Sequence, residues 1–193
     1  MFPYKYQSDP VLIRMITTKA AKEGAGRKWI TGMTILDNEL FVAIEKREQI
    51  EVYDSTELSF SHRMNLRELF NPLDIGSCNI KKCLYIFDAK DDHQSPEILR
   101  VDPSGKLIKN WSSAGDYYSR LSVTDESNII LVVHSTKKLN EYSLDGQLIR
   151  QINLPSDMHS DPMHAVKLTN GHFVVCHEGH GVGYVLWMQT ETY

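Results

Sequence analysis

Four short apolar runs punctuate the chain: Leu40 to Ile44, Leu84 to Phe87, Ile129 to Val133, and Phe173 to Cys176. Taking Phe41, Leu84, Ile130 and Phe173 as equivalent, they recur at spacings of 43, 46 and 43 residues. Each run is too short for a helix and shows no polar alternation, so each reads as a strand buried on both faces. A turn signal precedes every run: Asp37-Asn38, Asn79 to Lys82, Asp125 to Asn128, and Asn170-Gly171. Before that lies another apolar stretch, as in Met33 to Leu36 and Ala165 to Leu168. After each of the first three runs comes an alternating segment: Ile50 to Tyr53, Ile98 to Val101, and Leu139 to Tyr142. A tight turn follows at Asp54 to Glu57, Asp102 to Gly105, or Asp145-Gly146, where Ser-Gly and Asp-Gly offer the positive φ of hairpin loops. A fourth segment closes the unit, clearest in Lys106 to Trp111 and Gln147 to Ile152.

Four antiparallel strands in every 43 to 46 residues describe the blade of a β-propeller. The expected fold is all-β, with four-stranded antiparallel blades near 29–66, 71–113, 119–155 and 162–190, about three and a half in all. The last unit has no Asp-Gly turn or fourth strand after it. Residues 1–28 form a leading segment with a lone outer-type strand near 11–16, because Asp9 to Ile16 resembles Asp145 to Ile152. Two closures are open. That strand completes the last blade, pairing with Tyr184 to Met188, or the chain is an open arc of a larger ring, which is the favoured expectation. Only Arg63 to Phe70 reads as a short helix or turn. A β-sandwich does not repeat one four-part order three times.

Lys46 to Asp54 resembles the third-strand signature of NHL-repeat propellers, a polar pair leading into an alternating apolar stretch and an Asp. Ile98 to Gly105 and Leu139 to Gly146 repeat the theme. Pro72 to Ile75 and Pro162 to Val166 resemble the proline-led start of strand one in that class. The resemblance covers about residues 29–177 and is shared with WD-repeat propellers, although no Trp-Asp or Gly-His signature is present. It implies that the open arc belongs to a six-bladed ring, and one of three roles: a protein-binding platform, an RNA-binding platform, or a metal-dependent lyase or lactonase. Tripartite-motif ubiquitin ligases carry such propellers behind a RING and B-box. Three cysteines cannot build those zinc modules, so any ligase activity would lie outside this chain.

Composition narrows these roles. Lys plus Arg is 21 against 25 Asp plus Glu, a net charge of -4, which gives no general attraction to nucleic acid or anionic membrane. The longest apolar runs are five residues, and Met1 to Tyr6 lacks the charged and apolar regions of a signal peptide. Cys78, Cys83 and Cys176 are too few for a disulfide framework, and the five-residue spacing of the first two is not that of a zinc ribbon or redox motif. They read as free thiols in a reducing, cytoplasmic compartment.

In an up-down sheet the loops between strands two and three share a face with the blade-to-blade connections. That face collects Glu45 to Glu48, Asp88 to Pro96, Ser112 to Ser119, His134 to Lys138, Pro155 to Asp161, and His177 to Gly183. Its candidate binding residues are His93, His134, Asp157, Asp161, His177, Glu178 and His180. A catalytic zinc needs three converging ligands, for which His159, His164 and His177 are the candidates. No Gly-x-Ser-x-Gly, P-loop or His-Glu-x-x-His occurs, and no cofactor is expected. Lys81-Lys82 and Lys137-Lys138 read as solvated loop charge, Gly179 to Gly183 as a flexible turn. Tyr117, Tyr118, Trp29, Trp111 and Trp187 read as wedges between blades. The leading expectation is a non-enzymatic scaffold for a protein partner, with the metal-dependent enzyme second and RNA binding third.

Overall fold

A computed structural model describes residues 18–19, 29–90, 96–155, 161–178 and 183–187. Among the described residues, fifteen strands form four antiparallel sheets. The first blade contains β1 (Ile30–Leu36), β2 (Glu39–Ile44), β3 (Gln49–Asp54) and β4 (Phe60–Asn65). The second contains β5 (Pro72–Cys78), β6 (Cys83–Asp88), β7 (Glu97–Val101) and β8 (Leu107–Ser112). The third contains β9 (Arg120–Val123), β10 (Ile129–Val133), β11 (Lys138–Tyr142) and β12 (Leu148–Asn153). The last blade shows three strands, β13 (Asp161–Lys167), β14 (Phe173–Glu178) and β15 (Gly183–Trp187). Strands pair in sequence order within every sheet, so the chain is a partial propeller of about three and a half blades.

The apolar runs are buried second strands, as their lack of alternation requires. Every residue of β6 and β10 is buried, because a blade on either side covers both faces. The side chains sort alternately into three interblade cores, and Val42, Ile44 and Tyr53 form a fourth cluster in the first blade. Phe41, Ala43, Ile50 and Val52 meet Ile75, Leu84, Ile86, Leu99 and Val101 between the first two blades. Tyr85, Phe87 and Ile98 meet Leu121, Ile129 and Leu131 between the second and third. Ile130, Val132 and Leu139 meet Ala165, Phe173 and Val175 between the third and last. At ~25 cal/mol per Å² of apolar surface, burial of this kind is the main force holding blade to blade.

The innermost strands do not pair across blades, so polar side chains connect them. Thr31 Oγ1 donates to the Pro72 carbonyl at 2.8 Å, and Ser77 Oγ to that of Ile35 at 2.8 Å. Ser122 Oγ donates to the Ala165 carbonyl at 2.6 Å. β1, β5 and β13 share a register irregularity, at Ile30/Gly32, Pro72/Asp74 and Pro162/His164. At the last two it turns a polar residue toward the third blade. Asp74 Oδ2 accepts the Leu121 N–H at 2.9 Å, and His164 Nε2 lies 3.3 Å from the Leu121 carbonyl.

The third strands depart from the expected half-buried alternation. Glu51, Asn140 and Glu141 are as buried as their apolar neighbours. Glu51 accepts the Lys19 N–H at 2.8 Å and the Tyr53 hydroxyl at 2.5 Å, and burial with this bond pushes the Tyr53 hydroxyl up to about 12. One position differs in charge from blade to blade: Val52, Arg100 and Glu141 occupy it, opposite Phe41, Tyr85 and Ile130 respectively. Val52 joins the apolar core, Arg100 reaches Asp145 of the third blade at 3.2 Å, and Glu141 reaches Lys167 of the last at 3.3 Å.

The turns after these strands are longer than two-residue hairpins. An acceptor side chain organises each one. Asp54 Oδ1 accepts from Thr56 and Glu57 N–H, Asp102 Oδ1 from Ser104 and Lys106, and Ser143 Oγ from Asp145 and Gln147. Gly105 and Gly146 take positive φ as expected, whereas the first blade uses Leu58 at φ 51°. Arg63–Phe70 is no helix. Its first part ends β4, and Leu66 to Phe70 form a turn with Leu69 N–H bonded to the Leu66 carbonyl. The strand expected near 11–16 lies outside the described residues, as does its proposed pairing with the last blade.

Candidate functional site

The face carrying the β2–β3 and β10–β11 loops also carries the blade connections, as blade topology requires. At its middle the connection Ser113 to Ser119 is knitted by Asp116. Its carboxylate accepts Tyr118 N–H at 3.0 Å and Ser119 Oγ at 3.0 Å, while the other oxygen accepts Ser135 N–H from the β10–β11 loop at 2.7 Å. Partial burial works to raise the Asp116 carboxyl, but these donors outweigh it and hold it below the usual range. The connection is therefore tied to its neighbouring loop at a carboxylate that stays charged.

Asp116 so placed projects two tyrosines outward, Tyr117 45% and Tyr118 55% exposed. Their rings meet edge to face with centroids 5.6 Å apart, and Tyr118 lies tilted on the His134 ring at 5.1 Å. Tyr117 Oη donates to Glu45 Oε1 of the first blade at 3.1 Å. Burial and this carboxylate raise the Tyr117 hydroxyl above its ordinary value. Arg120 Nη1 donates to the carbonyls of Tyr117 and Ser119, bracing the same turn. His134 Nε2 lies 3.6 Å from Asp161 Oδ2, and Lys137 Nζ 3.7 Å from Asp161 Oδ1. Groups from the first, third and last blades thus meet around one aromatic cluster on the connection between the second and third.

Of the candidate binding residues, His134 and Asp161 come together here. Glu178 is the register partner of Asp161, and His177 that of Pro162, with His177 buried. His93, Asp157, His159 and His180 lie outside the described residues. Of the three candidate metal ligands, His164 pairs in register with Cys176 and points to the Leu121 carbonyl, and burial holds its ring below the usual histidine range. Among the described residues no three His, Cys, Asp or Glu side chains converge as a metal site would need. Asp88, counted with the loop acids, is buried and accepts Phe70 and Asn71 N–H instead.

The aromatic residues divide. Trp111 is a wedge, meeting Tyr85 edge-on at 6.3 Å beneath Gly146. Among the described residues Trp29, 69% exposed, is a surface group, as are Tyr117 and Tyr118. The sequence signal that could have found them was the Asp-Tyr-Tyr-Ser order: an Asp and a Ser that cap a tight connection leave the residues between them outside.

No family model matches the chain, and no curated protein matches it by sequence. Solved structures do resemble it. The WD40 β-propeller domain of Doa1 has a TM-score of 0.58 at 12% identity, over 76% of this chain and 47% of that one. The Dos1 propeller has a TM-score of 0.60 at 7% identity, over 84% and 43%. BamB from Moraxella catarrhalis has a TM-score of 0.52 at 11% identity, over 74% and 38%. The chain spans less than half the length of these three, and the likeness is one of β-propeller fold alone. No helix among the described residues is long and apolar enough to cross a membrane.

Proposed function

We propose that this chain is a non-enzymatic propeller module that binds a protein partner through the loop face centred on Tyr117 and Tyr118. The carrying observation is the exposed Tyr117–Tyr118–His134 cluster, held in place from beneath by Asp116 and from the side by Glu45. Exposed tyrosines already fixed in one arrangement lose little entropy on binding, and tyrosine is a recurrent energetic centre of protein interfaces. A rim of charged groups, Glu45, Lys137 and Asp161, supplies orientation. The third-strand resemblance to NHL repeats supports the same role. The unit is read as blades near 29–66, 71–113, 119–155 and 162–190, and the three free cysteines support a reducing, cytoplasmic setting.

The test uses a binder first isolated with the unaltered chain and measured by calorimetry. Tyr117→Ala with Tyr118→Ala should weaken it by about 30-fold or more, the size of an interface hot spot. Ile80→Ala, an exposed apolar group on the opposite loop face, should leave affinity unchanged. Equal loss in both variants, or none in the first, would sink the loop-face reading.

A further inference from the structure

The β5–β6 hairpin brings together two thiols that the sequence spacing keeps apart. Cys78 and Cys83 are direct cross-strand partners, joined by the four-residue turn Asn79 to Lys82 with Lys82 at φ 48°. Directly opposed residues of an antiparallel pair have Cα atoms ~4.5–5.5 Å apart, inside the ~4.4–6.8 Å range of disulfides. Both cysteines are free and belong to the same interblade core. Cys78 also lines a cleft of about 370 Å³ between the second and third blades, walled by Ser77, Asn79, Ile80, Val123 and Thr124. That cleft gives a small molecule a path to a sulfur otherwise inside the protein.

Arg100 and Tyr85 act to favour a Cys83 anion, although burial outweighs them. The Arg100 guanidinium and the Tyr85 hydroxyl both lie against its sulfur, and Arg100 is anchored by Asp145. Arg100 Nε, Tyr85 Oη and the neighbouring Trp111 Nε1 are buried without a hydrogen-bond partner of their own. Three unanswered donors in one interface are costly, and a thiolate accepts far better than a thiol. Burial meanwhile keeps the resting Cys83 above its ordinary acidity range, so its thiolate forms only when drawn upon. A fixed guanidinium also repels a metal cation, so the pair suits oxidation rather than metal binding.

We propose that Cys78 and Cys83 form a reversible thiol–disulfide site, oxidised by a small hydroperoxide that enters through the cleft. The Cys78 thiolate attacks one peroxide oxygen, the O–O bond breaks, and the released hydroxide takes up the thiol proton as water. This leaves Cys78 as a sulfenic acid. The Cys83 thiolate, stabilised by Arg100, attacks the Cys78 sulfur and forms the S–S bond. The S–O bond breaks, and its hydroxide takes up the Cys83 proton. Two thiols and one hydrogen peroxide become one disulfide and two waters. The site lies on the face opposite the tyrosine cluster, so it stands independently of the binding reading.

The test reduces the whole folded chain, exposes it to hydrogen peroxide at neutral pH, alkylates it in urea and digests it with trypsin. Cleavage after Lys81 and Lys82 separates the two cysteines, so Glu68–Lys81 joined to Cys83–Lys90 reports the bond directly. The expected result is that linked pair, with Cys176 alkylated. Arg100→Met should slow its formation by up to about tenfold, one unit of thiol acidity. The same treatment of the urea-unfolded chain is the control for mere sequence proximity, and it needs no variant to fold. Equal rates in folded and unfolded chain, linkage scrambled to Cys176, or both thiols still alkylated would overturn the proposal.

Discussion

Asp74 of the second blade accepts the Leu121 backbone N–H of the third, Oδ2 to N 2.9 Å, while its other oxygen accepts the Ile75 N–H. Burial outweighs both bonds and pushes the carboxyl up to about 6 from 3.8. Between those values the folded chain binds a proton that the unfolded chain has released, so this group's contribution to stability falls as pH rises from about 4 to 6. His164, also on Leu121 and held below its ordinary range, works oppositely as pH rises toward 6.5. The difference between Asp74→Asn and the unaltered chain separates them. In urea titrations, the unaltered chain should lose ~1–3 kcal/mol relative to Asp74→Asn across that window. A constant difference would mean that Asp74 titrates normally.

Asp88 follows the same sign, pushed by burial to about 6, and holds Asn71 and Phe70 N–H at 2.7 and 3.1 Å. Asp88→Ala leaves two backbone donors unanswered between the first two blades. Thermal unfolding at neutral pH should show a loss of ~1–3 kcal/mol.

Gly146 and Gly171 have nearly the same backbone, φ 81° and 83°, in very different surroundings. A Cβ on Gly146 would stand 2.5 Å from Trp111 Cδ2, whereas one on Gly171 meets nothing within 4 Å. Gly171→Ala should cost about 1 kcal/mol, the strain of positive φ alone. Gly146→Ala should cost more and shift tryptophan emission, since Trp111 must move. Equal costs would show that the contact yields freely.

Glu141 accepts Arg150 Nε at 2.6 Å, Asn128 Nδ2 at 2.9 Å and Lys167 Nζ at 3.3 Å. Its burial works upward, but these partners outweigh it and hold the carboxyl below 4.5. Its stabilisation is therefore complete above 4.5 and lost as pH falls through the lowered value. Glu141→Ala should cost ~1–3 kcal/mol near neutral pH, because the half-buried Arg150 and Lys167 and the Asn128 amide lose a charged acceptor. The cost should shrink in acid. A loss independent of pH would assign the effect to packing.

The strands were legible because apolar residues without alternation, as in Ile129 to Val133, leave few other places to go. The pairing of Cys78 with Cys83 was not, since a turn of four residues makes neighbours of positions that the chain separates. Ile50 to Tyr53 and Leu139 to Tyr142 were read as alternating, and the burial of Glu51 and Glu141 within them was not legible. Their burial depends on Tyr53, Arg150 and Lys167, partners set by register and by the next blade. Tyr117 and Tyr118 were placed on the correct face but taken for wedges. Composition alone does not distinguish a ring packed between sheets from one that Asp116 turns outward.

The position shared by Val52, Arg100 and Glu141 gives each blade an address. An apolar group, a cation and an anion stand at one place in three otherwise similar sheets, each with a partner in the blade that follows it. A blade docked out of turn during folding, or borrowed from a second copy, would leave Arg100 without Asp145 and Glu141 without Lys167. Repetition makes such mistakes easy to attempt, and this alternation of charge makes them hard to keep.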